Sequence, residues 1–341
     1  MKNYILKDEN AVYYESGFSC DNVLYLNLSD EKYFITDGRY TIEAEENVNK
    51  GIEVITTNDL FKIAKKILKK SKIKKLVLDP HDFSLAAYEK LSSGLNINFV
   101  QKPFFSREKR IIKTDKEIKY LGKAMEFGRI GFDRLSNYIC NEGIGKTEQY
   151  LYHKAKEFMS DNGKYDLSFD PIVAINANSA KPHALPTEVN LKRNDLLLVD
   201  AGIKYKRYCS DRTCTSRVYE DIDFERSQHF TKKERQKVYD IVLKAQLTAI
   251  KKARVGMMAK DIDKLARDVI EKAGYGKYFI HSTGHGVGLD IHEHPYINSR
   301  SETIIENGMV FTIEPGIYLP EKFGVRIEDT IVMKDGKAQI L

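Results

Sequence analysis

Residues Asp195–Ser216 read DLLLVDAGIKYKRYCSDRTCTS. The apolar run "LLLV", the polar "KYKR" and the segment after it predict strand, turn, strand. Asp200 and Asp211 are eleven residues apart, with their midpoint between Tyr205 and Lys206. A hairpin folded at that midpoint sets the two aspartates opposite each other on one face. Asp200 ends the apolar run and is expected to be buried. A second segment, Met309–Met333, repeats the device: in MVFTIEPGIYLPEKFGVRIEDTIVM, Glu314 and Glu328 are fourteen apart around Glu321. The turn-rich "LPEKFG" at that midpoint is bounded by Pro320 and Gly324.

Working outward from the two hairpins, the order of elements repeats. Helices over about 115–140 and 147–162 precede strands near 170–176 and 195–218. Helices over about 232–254 and 258–273 precede strands near 278–290 and 309–334. A helix-helix-strands unit used twice predicts a duplicated domain. Thr114 and Glu117 form a T-x-x-E capping box ahead of Ile118 and Leu121, which places the start of this domain at residue 114. Residues 1–113 read as a separate α/β unit. "NVLYLNL" and "KYFITD" form a hairpin through "SDEK", and "KKLVLDP" is a short strand stopped by Pro80. Between them, "DLFKIAKKILKKSKIKK" puts Leu60, Ile63, Ala64, Ile67 and Leu68 on one helical stripe, with a solvated basic face opposite.

Four acids at the apolar ends of strands pose a charge problem. Buried carboxylates raise one another's pKa values, and each left unpaired costs several kcal/mol, on the order of a buried charge. Arg326 shares a strand face with Glu328, whereas Arg212 points away from Asp211. Two divalent cations balance four carboxylates. A histidine source is at hand: "HSTGHGVGLDIHEHP", His281–Pro295, holds four of the eight histidines in the chain. An oxygen-rich site with one imidazole suits Mn²⁺ first, with Co²⁺, Zn²⁺ or Fe²⁺ as alternatives. Paired ions about 3.5–4 Å apart activate water for hydrolysis.

The ordered motifs "DAG" (Asp200), "SDRT" (Asp211), "GHGVGLDIHE" (His285, His292), "EPGIY" (Glu314) and "VRIED" (Glu328) resemble the pita-bread metallopeptidases. That family includes methionyl aminopeptidase, Xaa-Pro aminopeptidase and Xaa-Pro dipeptidase (prolidase). "YFITDGRYTIEAEE" looks like the creatinase-type N-terminal domain of the proline-specific branch. The resemblance implies an α+β chain, with a creatinase-like α/β domain at 1–113 and a pita-bread catalytic domain at 114–341. It implies Asp200, Asp211, His285, Glu314 and Glu328 as ligands of two metal ions, Asp211 and Glu328 bridging them. Glu314 would also be the general base. His292 would serve the oxyanion or shuttle protons, and His183 would bind substrate or the tetrahedral intermediate. His281 would be a substrate-side histidine, and Arg326 would orient the bridging carboxylates. Tyr318 and Phe169 are candidate walls for a proline slot.

The resulting expectation is an Xaa-Pro aminopeptidase acting on peptides with proline second. The sequence "HEHPY" places the uncharged Tyr296 where some prolidases carry an arginine, which favours an open site for longer peptides; an Xaa-Pro dipeptidase is the alternative, with Arg300, four residues later, as a substitute for that arginine. A ligand-free binding protein and a creatinase-like amidinohydrolase are the rivals outside peptidase chemistry. The family further implies a homodimer. A net charge of +6 from 55 basic and 49 acidic residues, spread throughout, gives no reason to expect nucleic acid binding. No apolar run is long enough for a membrane span or, at the N-terminus, a signal peptide. Four cysteines without a CxxC pattern suit a reduced, cytoplasmic setting.

Overall fold

A computed structural model describes residues 2–341. By its contacts the chain divides into Met1–Lys109 and Arg110–Leu341. The first unit carries six strands: β1 (Asn3–Leu6), β2 (Val23–Leu28), β3 (Glu31–Thr36), β4 (Glu53–Thr56), β5 (Lys75–Leu78) and β6 (Asn98–Gln101). Helices α1 (Glu9–Ser16), α2 (Thr41–Asn47), α3 (Leu60–Ser71), α4 (Leu85–Ser92) and α5 (Phe105–Lys109) connect or follow them. The sheet order is β4-β3-β2-β1-β5-β6, antiparallel at its centre and parallel at its edges. The "SDEK" hairpin forms as expected, turning at Ser29 with φ 60°. The lysine-rich helix buries Leu60, Ala64 and Leu68 against this sheet and turns its lysines outward.

The second unit begins with α6 (Asp115–Tyr138) and α7 (Glu148–Met159). The capping box at its start is complete: Glu117 Oε2 accepts the Thr114 N–H at 2.8 Å, and the Glu117 N–H donates to Thr114 Oγ1 at 3.3 Å. Glu117 also accepts the buried Tyr208 hydroxyl at 3.0 Å, tying the helix start to the strands below. The strands β7 (Ile172–Ile175), β8 (Leu196–Ala201), β9 (Lys204–Tyr205), β10 (Tyr208–Cys209) and β11 (Arg212–Arg217) follow. The second half opens with α8 (Lys233–Lys252) and α9 (Ala259–Lys272). It continues through β12 (Gly284–Gly286), β13 (Glu293–Ile297), β14 (Val310–Ile313), β15 (Gly316–Leu319), β16 (Phe323–Arg326), β17 (Asp329–Lys334) and β18 (Lys337–Ile340). The helix-helix-strands order is therefore used twice. Each half has its own apolar core, one under α6 and α7 and one under α8 and α9.

The two hairpins fold in different registers from one another. Glu314 and Glu328 obey the expected one: Ile313 pairs with Asp329 and Gly316 with Arg326, so the same register sets the two glutamates across from each other around Glu321. The first hairpin departs from expectation. Asp200 pairs with Thr213, not Asp211, because the turn is the two-residue Lys206–Arg207 at φ 51° and 69°, one position later than the acid midpoint. Consecutive positive φ values are those of the tight hairpin turn that matches strand twist. The two-residue offset preserves strand parity, so both aspartates still face one side. Among the described residues no helix is long and apolar enough to cross a membrane. All four cysteines are free thiols.

The capping box generates a stability test. Thr114→Ala should cost about 1 kcal/mol in urea denaturation, the usual loss for an N-cap. Glu117→Ala should cost about 1 kcal/mol more, since it also removes the hydrogen bond from the buried Tyr208 hydroxyl. Equal losses would mean that the Tyr208 bond adds nothing.

Candidate metal centre and active site

The two hairpins meet edge on. The Glu328 N–H donates to the Thr213 carbonyl at 3.0 Å, the Glu314 N–H to the Thr283 carbonyl at 2.8 Å, and Thr330 Oγ1 to the Asp211 carbonyl at 3.1 Å. These bonds bring the four carboxylates of the two hairpins to the floor of one cavity of about 460 Å³. Asp200, Asp211, His285, Glu314 and Glu328 all line it. Ligand atoms of Asp211, His285 and Glu328 lie within 4.8 Å of one another. Glu314 Oε1 joins through His285, 3.3 Å from its Nε2, and Asp211 Oδ2 stands 3.6 Å from the same nitrogen. Asp200 lies outside that tight group, with Oδ2 held by Arg326 at 2.7 Å.

The electrostatics call for cations. Burial first, then the neighbouring carboxylates, holds Asp211 and Glu328 well above the usual carboxylate range. Burial raises Glu314 to about 8 against the pull of Arg326. The His285 Nδ1 lies 3.1 Å from the Gly286 carbonyl, which can only accept, so Nδ1 carries the proton. Its Nε2 lone pair then faces carboxylate oxygens, a repulsive arrangement unless a positive charge lies between them. Burial keeps this ring neutral, lowering it to about 3. Asp200 Oδ1 and Glu328 Oε1 are buried with no hydrogen-bond partner. A neutral imidazole with its other nitrogen tied to a carbonyl, beside carboxylates with free oxygens, is a donor set that fits divalent metal ions.

Arg326 is the only arginine or lysine among the described residues lining the cavity, and it is 3% exposed. Its carboxylate partner is Asp200, which corrects the expectation from strand parity that it pairs with Glu328. It reaches Glu328 through Thr213 instead: Arg326 Nε donates to Thr213 Oγ1 at 3.0 Å, and that hydroxyl donates to Glu328 Oε2 at 2.7 Å. Arg326 Nη1 also donates to the Tyr318 hydroxyl at 2.8 Å, and that hydroxyl sits 2.8 Å from His281 Nε2. His281 Nδ1 faces the Ser282 carbonyl, so the tyrosine must be the donor to Nε2. Burial, then the Arg326 charge, lowers His281 to about 4 and keeps it an acceptor.

This network displaces one sequence expectation. Tyr318 is 3% exposed and absent from the cavity wall, so it supports His281 and Arg326 and is not a proline-slot wall. Phe169 does line the cavity, with Pro171, Pro182, Ile291 and Tyr152 as apolar neighbours. His183 and His292 are exposed and line it from different loops. Tyr296 and Arg300 do not line it. Sequence reasoning also missed three supports. Thr213 and Thr312 hydroxyls donate to Glu328 and Glu314. Glu148, fully buried at the start of α7, gathers the Ile175 and Thr187 N–H groups and the Asn178 side chain, and so pins the loop that carries His183. Alternation of threonine with acid, as in "SDRT" and "FTIE", was the available signal for the first two.

Two measurements follow from this geometry. In the metal-free protein, Glu314 binds a proton more tightly folded than unfolded between pH 4.5 and about 8, so its contribution to stability falls as pH rises. His285 and His281 act oppositely, but only below their unfolded value of 6.5. From pH 6.5 to about 8 the urea midpoint of the metal-free protein should therefore drop, and divalent metal should raise it and flatten the slope. A midpoint rising through that window would contradict the buried-acid account. Separately, Tyr318→Phe should retain metal while slowing turnover by up to about 10²-fold, the loss that a misplacement of about 1 Å in an active site can bring. Loss of metal in that variant would place Tyr318 in the metal centre's own support.

Known proteins agree with this architecture. Residues 119–335 match metallopeptidase family M24, and residues 1–105 match the creatinase/prolidase N-terminal domain. The Xaa-Pro dipeptidase of Pyrococcus horikoshii is 37% identical, over 98% of this chain and 91% of its own length. The structure of the Xaa-Pro dipeptidase from Bacillus anthracis superposes with a TM-score of 0.91 at 32% identity, covering 99% of this chain and 92% of that one. The X-Pro aminopeptidase from Thermotoga maritima gives 0.88 at 31% identity, over 100% and 95%. The cavity thus lies in a duplicated pita-bread domain, and the chain belongs to metallopeptidase family M24.

Proposed function

We propose that the chain is a dinuclear Xaa-Pro dipeptidase that hydrolyses the bond between a first residue and a following proline. The observation that carries this reading is the full-length likeness to the Xaa-Pro dipeptidases. Domain limits of 1–113 and 114–341, a homodimer, Mn²⁺ as the working metal and a cytoplasmic setting complete the proposal. Asp200, Asp211, His285, Glu314 and Glu328 would hold the ions, which supply Lewis acidity and an activated water at neutral pH.

The residues of the chain divide the remaining work. Glu314, raised by burial toward neutrality, would take the proton from the attacking water. His292 and His183, both exposed to the cavity, would stabilise the developing oxyanion and hold the substrate. Phe169, Pro171 and Ile291 offer an apolar wall for a pyrrolidine ring. An amide before proline has no N–H, so a site that works through the free amine and the carbonyl accepts it.

A second reading, Xaa-Pro aminopeptidase, is favoured by one observation. Among the described residues lining the cavity, no arginine or lysine is free to bind a dipeptide's terminal carboxylate, because Arg326 is committed to Asp200. The pair Ala-Pro and Ala-Pro-Ala decides between them. A dipeptidase should favour Ala-Pro in kcat/KM by more than about a hundredfold, roughly 2.7 kcal/mol. Comparable values would select the aminopeptidase, and no cleavage of either by the Mn²⁺-loaded protein would defeat both. Glu314→Gln should retain metal yet lose about 10²-fold or more in turnover, as for a lost general base. Activity within a few-fold of the parent would assign the base elsewhere.

A further inference from the structure

Among the described residues the His292 ring makes no hydrogen bond. It meets the His285 ring edge to face, with centroids 4.3 Å apart, and is otherwise exposed. Its place over the metal centre is therefore set by the backbone of residues 287–293. That segment hangs from an ionic quartet in which Arg110, Lys113 and Glu293 are buried and Asp290 is half-buried. Glu293, 1% exposed, accepts Lys113 Nζ at 2.5 Å. Arg110 Nη2 lies 2.7 Å from Asp290 Oδ2 and 3.7 Å from Glu293 Oε2. Gly288 makes the space, since a Cβ there would stand 2.4 Å from Glu293 Oε1. Its carbonyl is held by the Cys209 N–H at 2.8 Å. Lys113 is itself fixed, its N–H donating to the Gly308 carbonyl just before the Thr114 cap.

Stability alone is a poor reason for this quartet. Buried ion pairs lose in desolvation what they gain in attraction, and apolar residues of like volume commonly replace them without loss. Arg110 Nε and Nη1 and Glu293 Oε2 also lack hydrogen-bond partners. What the quartet does supply is a fixed point one residue from His292. We infer that Lys113 and Glu293, steadied by Arg110 and Asp290, are positioning residues that aim His292 into the active site. This rests on the proposed role of His292 in the reaction. The pair fixes the peptide between residues 292 and 293, and with it the direction of the histidine Cα–Cβ bond.

The test is a double-mutant cycle on the Mn²⁺-loaded full chain with Ala-Pro as substrate. Glu293→Gln should lower kcat by about tenfold or more with KM within about threefold, the pattern of an interaction felt in the transition state. Added to His292→Ala, the same substitution should change kcat by less than about twofold, because residues acting as one unit do not add. Full additivity overturns the inference while leaving the role of His292 intact. An unchanged kcat in His292→Ala itself removes both that role and the inference. Should Glu293→Gln fail to fold, Lys113→Met with Glu293→Gln removes both charges together and keeps the experiment sound; parental kcat in that variant overturns the inference. Lys113→Arg retains the charge and should retain kcat. A readout independent of turnover is the imidazole ¹⁵N spectrum of the Zn²⁺-loaded protein. The His292 resonances, identified by their loss in His292→Ala, should shift or broaden in the charge-free pair while those of His281 and His285 hold. An unmoved His292 signal overturns the inference.

Discussion

Four carboxylates share one floor with a single guanidinium, and the rest of the catalytic unit is arranged around that imbalance. At separations near 4 Å, like charges repel by about 4 kcal/mol even at an effective dielectric of 20. Arg326 answers for only part of it. It binds Asp200 directly and Glu328 through the Thr213 hydroxyl. The remaining carboxylate oxygens are left for cations, which is how a site can be strongly attractive to metal and still fold. Neutral histidines serve the same end. His285 and His281 each spend their Nδ1 proton on a backbone carbonyl, so neither adds a fixed positive charge that would compete with the ions.

The duplicated architecture makes this arrangement available cheaply. Each half presents a hairpin whose apolar strands end in acids, and the halves touch where those strands end. The halves are not equivalent in what they bring. The first contributes Asp200 and Asp211 and, through the loop pinned by Glu148, His183. The second contributes Glu314, Glu328 and all the remaining site histidines, with Arg326 crossing back to the first half. A symmetric scaffold thus carries an asymmetric site, which a peptide with distinct amino and carboxyl sides requires.

Much of this was legible in the residues themselves. The acids stood out because a carboxylate at the end of "LLLV" or within "MVFTIE" is costly unless something positive awaits it. The Glu314–Glu328 register was readable because proline and glycine bracket the turn. The Asp200–Asp211 register was not, because Lys206 and Arg207 give no outward sign that they will take positive φ. Tyr318 was misread for a related reason. Its place on the same strand pair as Arg326 is a matter of register, but its bond to His281 joins residues 37 apart in the chain. Lys113, Glu148 and Glu293 were invisible as site supports, since a charge destined for burial looks in sequence like any charge on a surface.

The bond from Arg326 to Asp200 spans 126 residues, and that from Thr213 to Glu328 spans 115. During synthesis the first half therefore emerges with Asp200 and Asp211 in place but without the guanidinium that tempers them. Until residues 313–330 have left the ribosome, the nascent first hairpin has two acids whose counter-charge has not been made. Long-range closure of this kind is slow and leaves apolar strand edges exposed while it is pending. The cluster of Asp211, His285 and Glu328 draws on both halves, so a complete set of metal donors exists only once they have docked.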